Sequence, residues 1–176
     1  MSRRSSIFGL FCAVALSFGA AIVLMAKDTE PADRNSMNHH VIVTPDQMKW
    51  SPAPAGLPAG AMVCVLDGDP GKSGLYVLRI KVPAGYTVPP HWHTYDENIT
   101  VLSGEMSIGE GDKLDKSAAA TIGPGGYAKM PAKMHHFAYS DRETIFQLHG
   151  TGPFDINYIN PSDDPRSSTN ANVSVK

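Results

Sequence analysis

Between residues 41 and 160 the hydrophobic positions come in short runs that never reach helical length. Apolar or β-branched stretches lie at 61–66, 75–82, 97–102, 106–108 and 144–149, each bounded by Gly, Pro, Asp or Ser. In Leu75–Val82 the run ends in strict alternation, with Arg79 and Lys81 on one face and Ile80 and Val82 on the other. That period of two marks a half-buried strand. The same alternation in 145–149 sets Ile145, Gln147 and His149 against Phe146 and Leu148. No segment between 41 and 160 carries the 3.6-residue period of an amphipathic helix. Roughly eight to ten short strands in ~120 residues predict an all-β fold, a sandwich or a barrel-like jelly roll.

The ends of the chain differ from this middle. Ser2-Arg3-Arg4-Ser5-Ser6 is a basic patch, and Ile7 to Ala26 follows without a single charge. Residues 1–26 therefore read as a signal peptide or signal anchor, touching a membrane only through 7–26 if uncleaved. By the positive-inside rule the arginines stay cytoplasmic. Everything after them is then expected in the periplasm, or otherwise outside the cytoplasm. Residues 27–40 read as a polar linker, 41–160 as the folded domain and 161–176 as a disordered tail rich in Ser, Asn, Asp and Pro.

Composition narrows the picture further. Of 176 residues, 42% are hydrophobic and 18% charged, so the chain has enough apolar content to fold. The 16 glycines and 14 prolines suit many turns. The formal net charge is −2, and no basic excess exists to attract nucleic acid. Cys12 lies in the targeting segment, so Cys64 has no partner for an internal disulfide in a processed chain. Its apolar surroundings predict a buried, inert thiol.

Candidate chemistry concentrates in Pro89-Pro90-His91-Trp92-His93-Thr94-Tyr95-Asp96-Glu97. The prolines forbid a helix leading in, and on a strand His91 and His93 share one face. On a straight strand Glu97 would lie ~13 Å beyond His93, too far for a shared metal ion. A single site therefore requires the chain to turn between Thr94 and Glu97. Trp92 has the opposite parity and is expected outside the barrel or in a homodimer interface, and His135 faces away from His136.

The spacing Gly85, five residues, His91, one residue, His93, three residues, Glu97, six residues, Gly104 resembles the first motif of the cupin superfamily at every defined position. Gly125, five residues, Pro131, then His136 resembles most of the second motif, with Lys133 in place of a glycine and Ser140 in place of a frequent asparagine. The text around these motifs is similar to small single-domain bacterial cupins, including the cupin half of ChrR-type anti-sigma proteins. That resemblance implies a six-to-eight-stranded jelly-roll barrel with His91, His93, Glu97 and His136 as ligands of one divalent transition metal ion. Three imidazoles and a carboxylate suit Mn, Fe, Ni, Cu or Zn and leave two octahedral positions open.

Three further residues are candidates for binding a small-molecule ligand. Gln147 and His149 would face it if the polar side of their strand lines the barrel. Lys133, three residues before His136, would meet an anionic ligand at the barrel mouth. No phosphate-binding loop or nucleophile elbow is present. The expected activity is that of a metalloenzyme of dioxygenase, isomerase or decarboxylase type acting on a small oxygenated molecule. The alternative is a non-catalytic metal- or ligand-binding sensor.

Overall fold

The computed structural model describes residues 40–167. Residues 1–26, expected to be a signal peptide or signal anchor, almost all of the expected linker and the last nine residues lie outside them. Eleven strands occur among the described residues: β1 (Ser51–Pro52), β2 (Met62–Asp67), β3 (Gly74–Val82), β4 (Tyr86–Trp92), β5 (Glu97–Ser103), β6 (Met106–Glu110), β7 (Ala120–Ile122), β8 (Tyr127–Met130), β9 (His136–Ser140), β10 (Thr144–Gly152) and β11 (Asn157–Tyr158). All pairings are antiparallel. One sheet has the order β1-β2-β3-β10-β5-β8, the other β11-β4-β9-β6-β7. The crossings between non-consecutive neighbours are those of a jelly roll.

Alternation decides which side chains meet between the sheets. On β3 the buried positions are Tyr76, Leu78, Ile80 and Val82, with the intervening residues turned outward. The nine-residue pairing of β3 with β10 places Phe146 opposite Ile80 and Leu148 opposite Leu78, so Phe146 and Leu148 join the same core. Val101, Tyr86 and Met106 complete it from β5, β4 and β6. Gln147 and His149 consequently point out of the barrel.

Turns follow the glycines. Gly104 links β5 to β6 at φ 78°, where a Cβ would come within 2.3 Å of the Thr144 hydroxyl and 2.4 Å of the Glu143 carbonyl. Only glycine fits so close an approach in a left-handed conformation. Among the described residues no helix is long and apolar enough to cross a membrane. Residues 161–167, the start of the stretch expected to be disordered, run against the domain. A 3-10 turn spans Pro161–Asp163, and Arg166 donates to the Ile156 carbonyl at 3.0 Å.

Candidate metal centre

The two sheets bring four side chains together. His91 lies near the end of β4 and pairs in register with His136, the first residue of β9. His93 stands just past β4, and Glu97 opens β5 in the opposite sheet. The bend between Thr94 and Asp96 that the spacing requires is present, and it is held from two sides. Asp155 accepts from the Thr94 amide at 2.8 Å and from its hydroxyl at 2.6 Å, while Asp96 accepts from the Ala132 amide at 2.8 Å and pairs with Lys129 at 2.7 Å.

All four side chains are buried: His91 is 3% exposed, His93 5%, Glu97 7% and His136 1%. One Glu97 oxygen lies 3.5 Å from His93 Nε2 and 3.4 Å from His136 Nε2. The imidazole centroids are 4.2 to 5.2 Å apart.

Each imidazole has its Nδ1 against a main-chain carbonyl: His91 on Pro89 at 2.7 Å, His136 on Met134 at 3.1 Å, and His93 on Asp155. A carbonyl only accepts, so Nδ1 carries the proton and the Nε2 lone pair is left as a donor to an electrophile. His93 Nε2 and His136 Nε2 are buried without a hydrogen-bond partner. Such groups are costly unless something fills the site. His91, His93 and His136 each offer a nitrogen within 4.8 Å of the others, a group that could hold a metal ion.

The electrostatics point the same way. Burial, helped by the neighbouring His136 and His93, pushes His91 down to about 3, so this imidazole is neutral. Burial alone would raise Glu97, but its interactions with His93 and His136 overcome it and hold the carboxyl below its usual range. Burial works against protonating His93 too, yet the Glu97 carboxylate raises it. A buried carboxylate among imidazoles attracts positive charge, which a divalent cation held by the imidazoles would supply. The donor set thus fits a metal ion.

Around these groups the barrel encloses a chamber of about 40 Å³, its walls including Val82, Val88, Ile99, Met106, Phe146 and Leu148. Apart from the three histidines and Glu97, the polar side chain on the wall is Tyr86, whose hydroxyl donates to the Pro58 carbonyl at 2.9 Å.

The three ligand-binding candidates are not brought to this chamber. Gln147 accepts from Arg79 at 3.2 Å on the outer face of the sheet, and His149 lies on the same face against Asn98 and Gly150. Apolar Phe146 and Leu148 take the inner face, because the barrel interior is hydrocarbon. Lys133 is also turned away: its ammonium sits 3.7 Å from the centre of the Trp92 ring and 3.4 Å from the Thr94 hydroxyl. It keeps the left-handed backbone of the glycine it replaces, at φ 65°, and its amide donates to the His93 carbonyl at 2.9 Å. Lys133 therefore braces the bend behind His93. Trp92 packs outside the barrel, and His135 faces solvent against Asp112.

Two residues near the site carry no signal in the sequence motifs. Asp155 anchors His93 through its carbonyl, and the Phe154 ring lies 5.3 Å from the His93 ring. They follow β10, 61 and 62 residues beyond His93, in a segment without metal-ligand spacing.

Comparison with known proteins places this geometry. Residues 38–155 match the family model described as the ChrR Cupin-like domain. Among solved structures, the chain is similar to the polyketide cyclase RemF from Streptomyces resistomycificus, with TM-score 0.60, 19% identity, and coverage of 75% of this chain and 94% of that one. An RmlC-like cupin protein from Ralstonia eutropha JMP134 gives TM-score 0.56 at 17% identity, covering 79% of this chain and 88% of its own. An acetylacetone dioxygenase from Acinetobacter johnsonii gives TM-score 0.54 at 17% identity, covering 78% and 93%. At such identities the likeness shows the fold alone. No curated protein matches the sequence.

Proposed function

The chain belongs to the ChrR cupin-like family, and on that premise we propose that it holds one divalent transition metal ion on His91, His93, His136 and Glu97 and acts on a small oxygenated molecule. The observation that carries this reading is the convergence of imidazoles whose Nδ1 protons are committed to carbonyls, two of them with a buried, unpartnered Nε2 beside a buried carboxylate. When bound, the ion supplies Lewis-acid or redox chemistry at a ligand oxygen. The histidines orient it, Glu97 offsets its charge, and the apolar walls exclude water.

The chamber wall also speaks to substrate class. Outside the ligand set its one polar side chain is Tyr86, already bonded to Pro58, so the ring hydroxyls of a uronic acid would be buried unpaired. Diketones and phenols therefore suit it better than uronic acids. The acetylacetone dioxygenase among the structural neighbours makes the first of these the natural starting substrate. Loading the protein separately with Mn, Fe, Ni, Cu and Zn, then following dioxygen uptake and product formation across the three classes, tests the proposal. Turnover of diketones or phenols supports it; metal binding without any consumption overturns the enzymatic part.

A non-catalytic sensor is the second reading. It is favoured by the chamber's lack of a free proton donor outside the ligand set, since Tyr86 is already bonded to Pro58. A ligand-dependent change in size-exclusion volume without turnover would select it. We place either activity outside the cytoplasm, on the strength of Arg3, Arg4 and the uncharged run that follows. Cell fractionation tests that placement.

A further inference from the structure

The chamber is too small for the ligand that the metal reading requires. Its 40 Å³ admits an ion and a few ligand atoms, whereas sites for small organic molecules usually span about 300 Å³ or more. A groove of about 300 Å³ lies directly beside it, and Leu57, Ile80, Phe154 and Ile156 line both spaces. The Phe154 ring, 5.3 Å from that of His93, puts this shared wall next to the ligand set.

The groove exists because of how the first sheet ends. Val63 pairs with Ile80 and Val65 with Leu78, so these four side chains share the inner face of β2 and β3. Only the two-residue β1 continues the sheet past β2, and the face is left incompletely covered, with Val65 49% exposed. Two charged residues stand on the groove wall, and both are engaged elsewhere. Arg166 makes two 2.8 Å contacts to Asp164 and donates to Ile156, and the Asp155 carboxylate is taken by Thr94 and Asn157. An anionic ligand group would have to compete with Asp164 for Arg166, while a hydrocarbon chain would meet valine, leucine and isoleucine.

We infer that the groove binds the apolar tail of a ligand whose oxygenated head enters the metal chamber past Leu57, Phe154 and Ile156. This rests on the metal-site reading for the head and refines its substrate class to oxygenated molecules bearing an alkyl or aryl tail. Tail length then sets selectivity, through apolar area removed from water.

The test uses 4-ethyl-, 4-butyl- and 4-hexylphenol titrated calorimetrically into the full chain, both after chelation and after metal loading. Each buried methylene is worth about fourfold in affinity, so the series should tighten by at least about tenfold from ethyl to hexyl. Val65→Trp, which fills the groove, should flatten the series. Leu75→Trp, on the outer face of β3, should leave it intact. Intermolecular nuclear Overhauser effects in the unmutated protein, from the terminal methyl of 4-hexylphenol to the methyl groups of Val63, Val65 and Leu78, locate the tail even if Val65→Trp fails to fold. Absence of saturable binding, a flat series, effects only to other methyl groups, or an unchanged series in folded Val65→Trp would each overturn the inference. Failure of the metal reading is seen separately: ion content of the same samples would be near zero while the tail dependence of the chelated protein persists.

Discussion

Asp155 offers a way to loosen the metal site without touching a ligand. Its carboxylate accepts from the Thr94 amide at 2.8 Å, the Thr94 hydroxyl at 2.6 Å and Asn157 at 2.9 Å, and its own carbonyl takes the His93 Nδ1 proton. Asp155→Ala leaves that carbonyl in place but frees the peptide that carries it. A hydrogen bond to a charged group is worth about 1.5 to 3 kcal/mol. Asp155 is partly exposed and water can replace some of its bonds, so the loss in folding stability should be about 1 to 2 kcal/mol. The effect on the ion should be larger, because removing a group that orients a ligating histidine typically weakens metal binding about 10- to 100-fold. Competition with a chromophoric chelator measures that affinity, and urea denaturation of the chelated protein measures the stability. Asp155→Asn keeps one acceptor oxygen and should fall between the two. If Asp155→Ala folds and binds metal within about threefold of the parent, His93 does not depend on this anchor.

Other consequences are more local. Gly109→Ala would put a Cβ 2.1 Å from the ring of Phe137, which is fully buried, so overpacking should cost about 1 to 3 kcal/mol in urea denaturation; a neutral change would mean the ring moves freely. At position 133, where φ is 65°, glycine should be more stable than alanine by about 1 kcal/mol, because both lose the contact with Trp92 but only alanine keeps the strain. Lys133→Gly should also leave the affinity for anionic ligands and its salt dependence unchanged, since the ammonium lies on Trp92 rather than at the chamber.

The strands that show in the sequence are those with one wet face. Arg79 and Lys81 against Ile80 and Val82 announce β3, and Gln147 against Phe146 and Leu148 announces β10. Strand β9 is silent because His136, Phe137, Tyr139 and Ser140 are all buried, so no alternation in polarity exists to read. Strand β4 is legible only at its end, in the shared face of His91 and His93, because Pro89 and Pro90 normally end a strand. Here the register with β9 shifts between Val88 and His91, and that irregularity accommodates them.

The same limits apply at the site. His91, His93, Glu97 and His136 are legible as a set through their likeness to the cupin motifs, and the need for a bend before Glu97 follows from strand rise alone. Parity separates Gln147 and His149 from Phe146 and Leu148, but it does not say which set faces inward; the hydrocarbon interior chooses the latter. Asp155, Phe154 and Leu57 reach the site only through the return of the chain after β10 and the segment before β2, contacts that no local pattern encodes.

If His91, His93, Glu97 and His136 hold one ion together, losing one of them should empty the site while losing their neighbour His135 should not. Elemental analysis of the protein, its His136→Ala variant and its His135→Ala variant, each loaded under identical conditions and freed of loose metal, tests it most directly. About one divalent transition ion per chain is expected in the parent and in His135→Ala, and below about 0.1 in His136→Ala. A parent below about 0.1 after loading with each of Mn, Fe, Ni, Cu and Zn, or a His136→Ala protein that retains its ion, would contradict it.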